Sequence, residues 1–205
     1  MFDNKYDNRI ILTCIGGPLK KFEILFLKNK SKYNNYVVGI DVNSNNTGKR
    51  YVDKFYKTPN GLSVNYIKKI IQIVKKDRIN LILPCSDEEA LVLTRFRKDL
   101  LKLNCDVAST NYKNIKIFSN KLKTYAYLKK SNIAVPKYKK ILNYNSLIKE
   151  AILYKKNDLE FVVKPSVSRG GRNVFVVSHK NIKTKINNNR EMYLNYKNFI
   201  KISKN

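Results

Sequence analysis

A chain of 205 residues, 43% hydrophobic and 28% charged, can hold one large domain or two small ones and is too apolar for a disordered protein. A net charge of +27 raises nucleic acid or an anionic membrane surface as partners, but the lysines are scattered rather than clustered. Abundant Lys, Asn, Ile and Tyr, with no Trp, suit an A+T-rich coding sequence better than a dedicated polyanion surface, so nucleic acid is not expected. With His179 the single histidine, neither a zinc site nor a histidine-based triad is expected. No signal peptide or membrane span is expected, and Cys14, Cys85 and Cys105 read as buried reduced thiols of a cytoplasmic protein.

Arg9 to Ile15 is short and apolar and ends at Gly16-Gly17-Pro18, the pattern of a buried parallel strand. A helix from about Leu19 to Asn29 follows, with Phe22, Leu25 and Phe26 at helical spacing. Tyr36 to Asp41 is the next strand. A helix over Ser63 to Lys76 carries Ile67, Ile70, Ile71 and Val74 on one face, with Ser63 as N-cap. Asn80 to Pro84 is a third strand, Ser86-Asp87-Glu88-Glu89 opens a helix, and Asp106 to Ala108 is a short fourth strand.

This alternation predicts an α/β fold with a Rossmann-like parallel sheet over residues 8–112. Ligands of such sheets sit beyond the strand C-termini, which gathers Gly16, Gly17, Asp41, Ser86, Asp87 and Glu88 as substrate-side candidates. Asp41 could bind a ribose, but Ile15-Gly16-Gly17-Pro18-Leu19 is not GxGxxG, and Pro18 lacks a donor. A tight strand-to-helix turn explains Gly16-Gly17 equally well.

After Tyr112 the pattern changes to α+β. Lys121 to Lys130 is a helix with Leu122, Tyr125 and Leu128 inward, and Pro136 forces Val135 to be extended. Lys137 to Ile141 reads as a strand, and Ser146 to Tyr154 as a helix burying Ile148, Ala151 and Ile152. Phe161 to Val177 then forms a hairpin of two buried strands around a basic glycine loop. Gly170 and Gly171 let backbone N–H groups approach anionic oxygens, while Lys164, Arg169 and Arg172 supply charge. An ordinary hairpin with a solvated basic tip is the alternative.

In this order, Thr13 to Pro18, Gly39-Ile40-Asp41, Leu83 to Glu89, Ser119 to Thr124, Ile133 to Lys137 and Val163-Lys164-Pro165 with its loop make the chain similar to the ATP-grasp superfamily. The likeness is to its carbamoyl-phosphate-synthase-like carboxylate–amine ligases. It implies a pre-ATP-grasp Rossmann-like domain over 8–112 and a partial α+β ATP-grasp subdomain over 113–205. It also implies that Lys121, Lys164, Ser166, Ser168, Arg169, Gly170, Gly171 and Arg172 hold the phosphates of ATP. Backbone donors and fixed cations then stabilise charge on a transferring γ-phosphoryl group. In such enzymes a carboxylate becomes an acyl phosphate that an amine attacks.

Two departures stand out. Asn173 occupies a position where a further glycine is common. Phe199 to Ile202 falls where an adenine-binding hinge strand would begin, but no acidic pair follows, and Glu191, expected in a helix, is the only acid after Val177. Asn187-Asn188-Asn189-Arg190 is a poor metal motif without a partnering Glu strand. Mg²⁺ is therefore expected only in a complete enzyme, and the chain reads as a truncated or split ligase, inactive alone, with a separately encoded C-terminal polypeptide as partner. A non-catalytic nucleotide-binding or regulatory module and a basic nucleic-acid-binding protein are the readings from other classes.

Overall fold

The computed structural model describes residues 6–168, 170–187 and 190–204, in two compact units, Met1–Lys116 and Ile117–Asn205. In the N-terminal unit, strands β1 (Asn8–Leu12), β2 (Asn35–Asp41), β3 (Lys54–Lys57), β4 (Leu81–Leu83) and β5 (Asp106–Val107) form a parallel sheet in the order β3-β2-β1-β4-β5. The central strand β1 pairs on both sides, Ile10 standing opposite Val37 and Leu81. A strand so placed is covered on both faces, hence its unbroken apolar run.

Helices α1 (Lys20–Leu25), continuing as a π-turn over Phe26–Lys30, α2 (Tyr66–Asp77), α3 (Asp87–Arg95) and α4 (Arg97–Leu101) cover the sheet. Pleating divides the core between its two faces. Ile11, Val38, Ile40 and Ile82 pack with Tyr66, Ile70, Val74, Leu93 and Leu100 on one side, and Leu12 and Val37 with Ile15 and Ile24 on the other. Each fully buried aliphatic side chain contributes about 1.5–3 kcal/mol.

Two expectations for this unit are corrected. Strand β3 lacks a sequence signal because Lys54 and Lys57 bracket a half-buried Phe55-Tyr56 at the sheet edge. Ser63 does not cap α2: the helix begins at Tyr66, and the Ser63 hydroxyl accepts from the Asn65 N–H in the preceding turn.

In the C-terminal unit, α5 (Tyr112–Phe118) crosses the boundary and leads into α6 (Lys121–Lys130) and α7 (Tyr144–Lys156). Strands β6 (Phe161–Val163), β7 (Val174–Ser178), β8 (Lys185–Asn187) and β9 (Glu191–Asn195) form a sheet in the order β6-β7-β9-β8. Its pairs are antiparallel, parallel and antiparallel in turn. Ala151 of α7, Val177, Leu194 and Phe199 of α8 (Tyr196–Ile202) make the core. The Phe199 ring meets Phe161 and Phe175 edge-on at 5.5 and 6.1 Å between centroids.

Five further expectations fail here. Lys137 to Ile141 forms no ladder, because a groove of about 640 Å³ separates it from β6, and a strand needs a partner about 4.8 Å away. Phe199 to Ile202 is helical rather than a hinge strand, since the Asn195 side chain caps the Asn198 N–H and starts α8. Glu191 stands on a strand because β7 supplies a parallel ladder to β9. Ile152 is 41% exposed, because α7 turns Leu147 and Ala151 inward instead. Strand β6 is a half-buried edge rather than a fully buried strand, with Val162 exposed.

Candidate functional site

The C-terminal unit places the predicted phosphate residues around the β6–β7 loop. Gly170 and Gly171 both adopt left-handed backbone, at φ +58° and +73°, followed by Asn173 at φ +56°. The loop thus needs glycine where it turns, and Asn173 keeps the same left-handed turn. Its base is tied to α6: the Lys121 N–H donates to the Ser166 carbonyl at 2.8 Å, and the Lys121 ammonium to the Ser168 carbonyl at 2.8 Å. The Ser168 hydroxyl closes the loop onto the Arg172 carbonyl at 2.9 Å. Lys164 is exposed and donates to the Tyr125 hydroxyl at 3.1 Å. Arg172 is exposed, and Arg169 lies outside the described residues.

Lys121, Lys164 and Ser166 line the 640 Å³ groove between β6 and the 136–141 segment, where Tyr125 and Tyr138 pack at 5.0 Å between ring centroids. One end of the groove thus carries cations beside the glycine loop, and its wall carries aromatic rings. Sequence reasoning missed two neighbours. A side chain added at Gly170 would meet the Arg190 guanidinium at 3.0 Å, and one added at Gly171 would meet the Glu191 carboxylate at 2.6 Å. Arg190 and Glu191 therefore pack on Gly170 and Gly171. That contact depends on a parallel pairing no local pattern announces.

In the N-terminal unit the substrate-side candidates stand at the C-terminal edge of the sheet. The Asp41 carboxylate accepts from the Gly16 N–H at 2.8 Å and the Asn43 N–H at 2.9 Å, so it binds two loops together. Gly17 closes a turn onto the Cys14 carbonyl, which supports the strand-to-helix reading of the glycine pair. Ser86 caps α3, with Asp87 exposed and Glu88 half-buried in its first turn.

The deeper feature here is Glu89, which the sequence reading placed only in the helix start. It is buried, and its Oε2 accepts from the Thr13 hydroxyl at 2.7 Å, the Ser86 hydroxyl at 2.8 Å and the Cys14 thiol at 2.9 Å. Its Oε1 accepts from the Tyr66 hydroxyl at 3.2 Å. Burial and the Glu89 charge push the Tyr66 phenol far above its ordinary range, so it serves as a donor. The spacing of Ser86 and Glu89 was the available signal, as a capping box with a buried acid at its third position.

Residues 10–108 match the family model described as PylC-like, N-terminal domain. Among solved structures, the chain is similar to N5-carboxyaminoimidazole synthetase from Staphylococcus aureus in complex with ADP, at 15% identity and a TM-score of 0.60, over 84% of this chain and 42% of that one. It is also similar to the biotin carboxylase domain of Hydrogenobacter thermophilus 2-oxoglutarate carboxylase, solved with MgADP, ADP and bicarbonate. There the identity is 16% and the TM-score 0.55, over 85% of this chain and 38% of the other. N5-carboxyaminoimidazole ribonucleotide synthetase from Thermotoga maritima matches at 19% identity and a TM-score of 0.50, over 82% and 40%. The chain spans about two fifths of the length of these structures, and the likeness is one of fold. No curated protein sequence matches it.

Proposed function

We propose that this protein is an ATP-grasp ligase-like protein that binds ATP through the β6–β7 loop, as part of an ATP-dependent carboxylate–amine ligation that proceeds through an acyl phosphate. The supporting observation is the loop itself: left-handed Gly170 and Gly171, clasped to the start of α6 by Lys121, beside the Lys164 ammonium. Backbone donors and fixed cations at the end of a groove suit a polyphosphate. Complexes of the fold neighbours with ADP and MgADP are in keeping with this reading. The groove volume lies in the range of small-molecule sites, about 300–1,000 Å³.

A divalent ion for phosphoryl transfer needs several oxygen ligands. Among the described residues no group of three or more His, Cys, Asp or Glu gathers, and Glu191 stands by the loop without a second acid. These residues do not fit an Mg²⁺ site, and no transfer step is assigned to them. In this proposal the described residues hold the nucleotide, and the carboxylates that a transfer step needs are not among them.

Titration with ATP tests the binding. Lys164→Ala is expected to weaken ATP by about 1.5–3 kcal/mol through loss of one charge-assisted contact. Equal affinity of both proteins would remove Lys164 from the site. Binding of DNA tighter than ATP and retained at about 0.2 M salt would favour a nucleic-acid function instead.

A further inference from the structure

The spacing of Phe22, Leu25 and Phe26 suits an apolar face turned inward, yet α1 and its π-turn bury Ile24 and pack Leu27 against the core instead. Leu19, Phe22 and Phe26 are left on the opposite side, 66%, 67% and 62% exposed. Helical spacing sets the three in one stripe along the segment. Single exposed apolar residues are ordinary, but a contiguous stripe of large ones marks an interaction surface.

The stripe is bordered by positive charge. Glu23 is the one acid of the segment Lys20–Lys30, and it is paired with Lys20. Lys28 is paired with Asp53 at 2.5 Å. Lys21, Lys30 and Lys32 are exposed and have no acidic partner among the described residues, Lys21 and Lys32 lying over the Tyr51 and Tyr33 rings.

Area and charge decide what fits here. At about 150–250 Å² for a whole ring, the exposed parts of Phe22 and Phe26 come to roughly 200–300 Å². A stable protein interface takes about 800 Å² from each partner. A second copy would also bring the same lysines and a net charge of +27, which opposes self-association. A bilayer needs no matching area. An apolar helix face edged with lysines lies in the interfacial plane, and each lysine near an anionic surface adds to the attraction.

We propose that the stripe of Leu19, Phe22 and Phe26 is a peripheral docking surface for an anionic phospholipid bilayer. The two rings enter the boundary between headgroups and acyl chains, and Lys21, Lys30 and Lys32 meet lipid phosphates. No helix among the described residues is long and apolar enough to cross a membrane, so the contact lies on the surface. None of the residues assigned to ATP takes part, and the two readings stand or fall separately.

Co-sedimentation of the full chain with vesicles of equal parts phosphatidylserine and phosphatidylcholine tests this. Net charge alone would draw the chain to such vesicles, so the deciding variant keeps the charge and removes the rings. Phe22→Ser with Phe26→Ser is expected to weaken binding by about tenfold or more at about 0.15 M salt. Leu142→Ser, at an exposed apolar site of the other unit, should leave it unchanged. Both rings are exposed, so thermal unfolding of the double variant should match that of the unsubstituted protein. The chain has no tryptophan, and F22W supplies a single reporter. Its emission should shift to the blue on these vesicles and be quenched by brominated acyl chains. Equal vesicle binding by the double variant would reduce the contact to charge and overturn the proposal. So would emission from F22W that brominated lipid does not quench. Self-association without lipid that the double variant abolishes would assign the stripe to a second copy instead.

Discussion

The two units bury their cores to different degrees. In the N-terminal unit a parallel sheet lies between two apolar layers, and Ile11, Val38, Ile40, Ile70 and Ile82 are wholly out of solvent. Among the described residues of the C-terminal unit, Ala151, Val177, Leu194 and Phe199 are the buried core, while Leu142, Leu153, Leu159, Val162 and Ile186 stay exposed. The first unit holds its candidate polar site, the Glu89 cluster, inside this packing. The second carries its candidate site on a loop, held by hydrogen bonds to a helix start and by the packing of Arg190 and Glu191. A thin core concentrates stability in few side chains, and a loop site is correspondingly sensitive to them.

The contrast predicts that Phe199→Ala has the largest effect. Removing the ring that Phe161 and Phe175 pack against should cost about 3–5 kcal/mol and open the C-terminal unit selectively. Hydrogen exchange read by mass spectrometry checks this: protection should fall over 144–202 and stay unchanged in β1, β2 and β4. Equal loss in both units would show one cooperative structure rather than two.

Glu89→Gln probes the other unit. The amide would turn N–H groups toward a site that now receives four donors, leaving at least one unsatisfied at a cost of about 1–3 kcal/mol. Urea unfolding should show the loss, and exchange should confine it to residues 10–93. A neutral result would mean that the cluster rearranges around the amide, and that its packing is looser than its hydrogen bonds imply.

Gly171→Ala examines the loop. A side chain there adopts left-handed backbone, costing about 1–2 kcal/mol, and also collides with Glu191. The loop should become more sensitive to trypsin, and Glu191→Ala in the same chain should recover the part due to collision. If it recovers nothing, Glu191 does not brace the loop.

The smallest effect concerns Asp106, whose carboxylate is held below its ordinary value chiefly by the Arg97 guanidinium, at 2.7 and 2.9 Å. A depressed carboxylate stabilises the fold above the unfolded value of about 3.9 and loses that contribution as pH falls through the folded value. The pair is substantially exposed, so solvent screening keeps it below about 1 kcal/mol. Asp106→Asn should flatten the acid side of the N-terminal unit's stability profile slightly, as read by thermal unfolding between neutral pH and about pH 3.

Local pattern marked the central strands and main helices of the N-terminal unit because that information is local, while edge strand β3 carried no such signal. The apolar run of Ile10 to Leu12, the helical stripe of Ile67, Ile70, Ile71 and Val74, and the Ser86 cap each declare their element within a few residues. The glycine hairpin was legible for the same reason, since β6 and β7 are joined by the loop that turns them. Only tertiary structure decided that β9 joins β7 in parallel, that Lys137 to Ile141 finds no partner, and that Glu89 collects donors from β1, α2 and α3. Strand pairing depends on which backbone donors and acceptors come within reach across the fold, and a buried carboxylate on which hydroxyls surround it. Neither quantity is set by spacing along the chain.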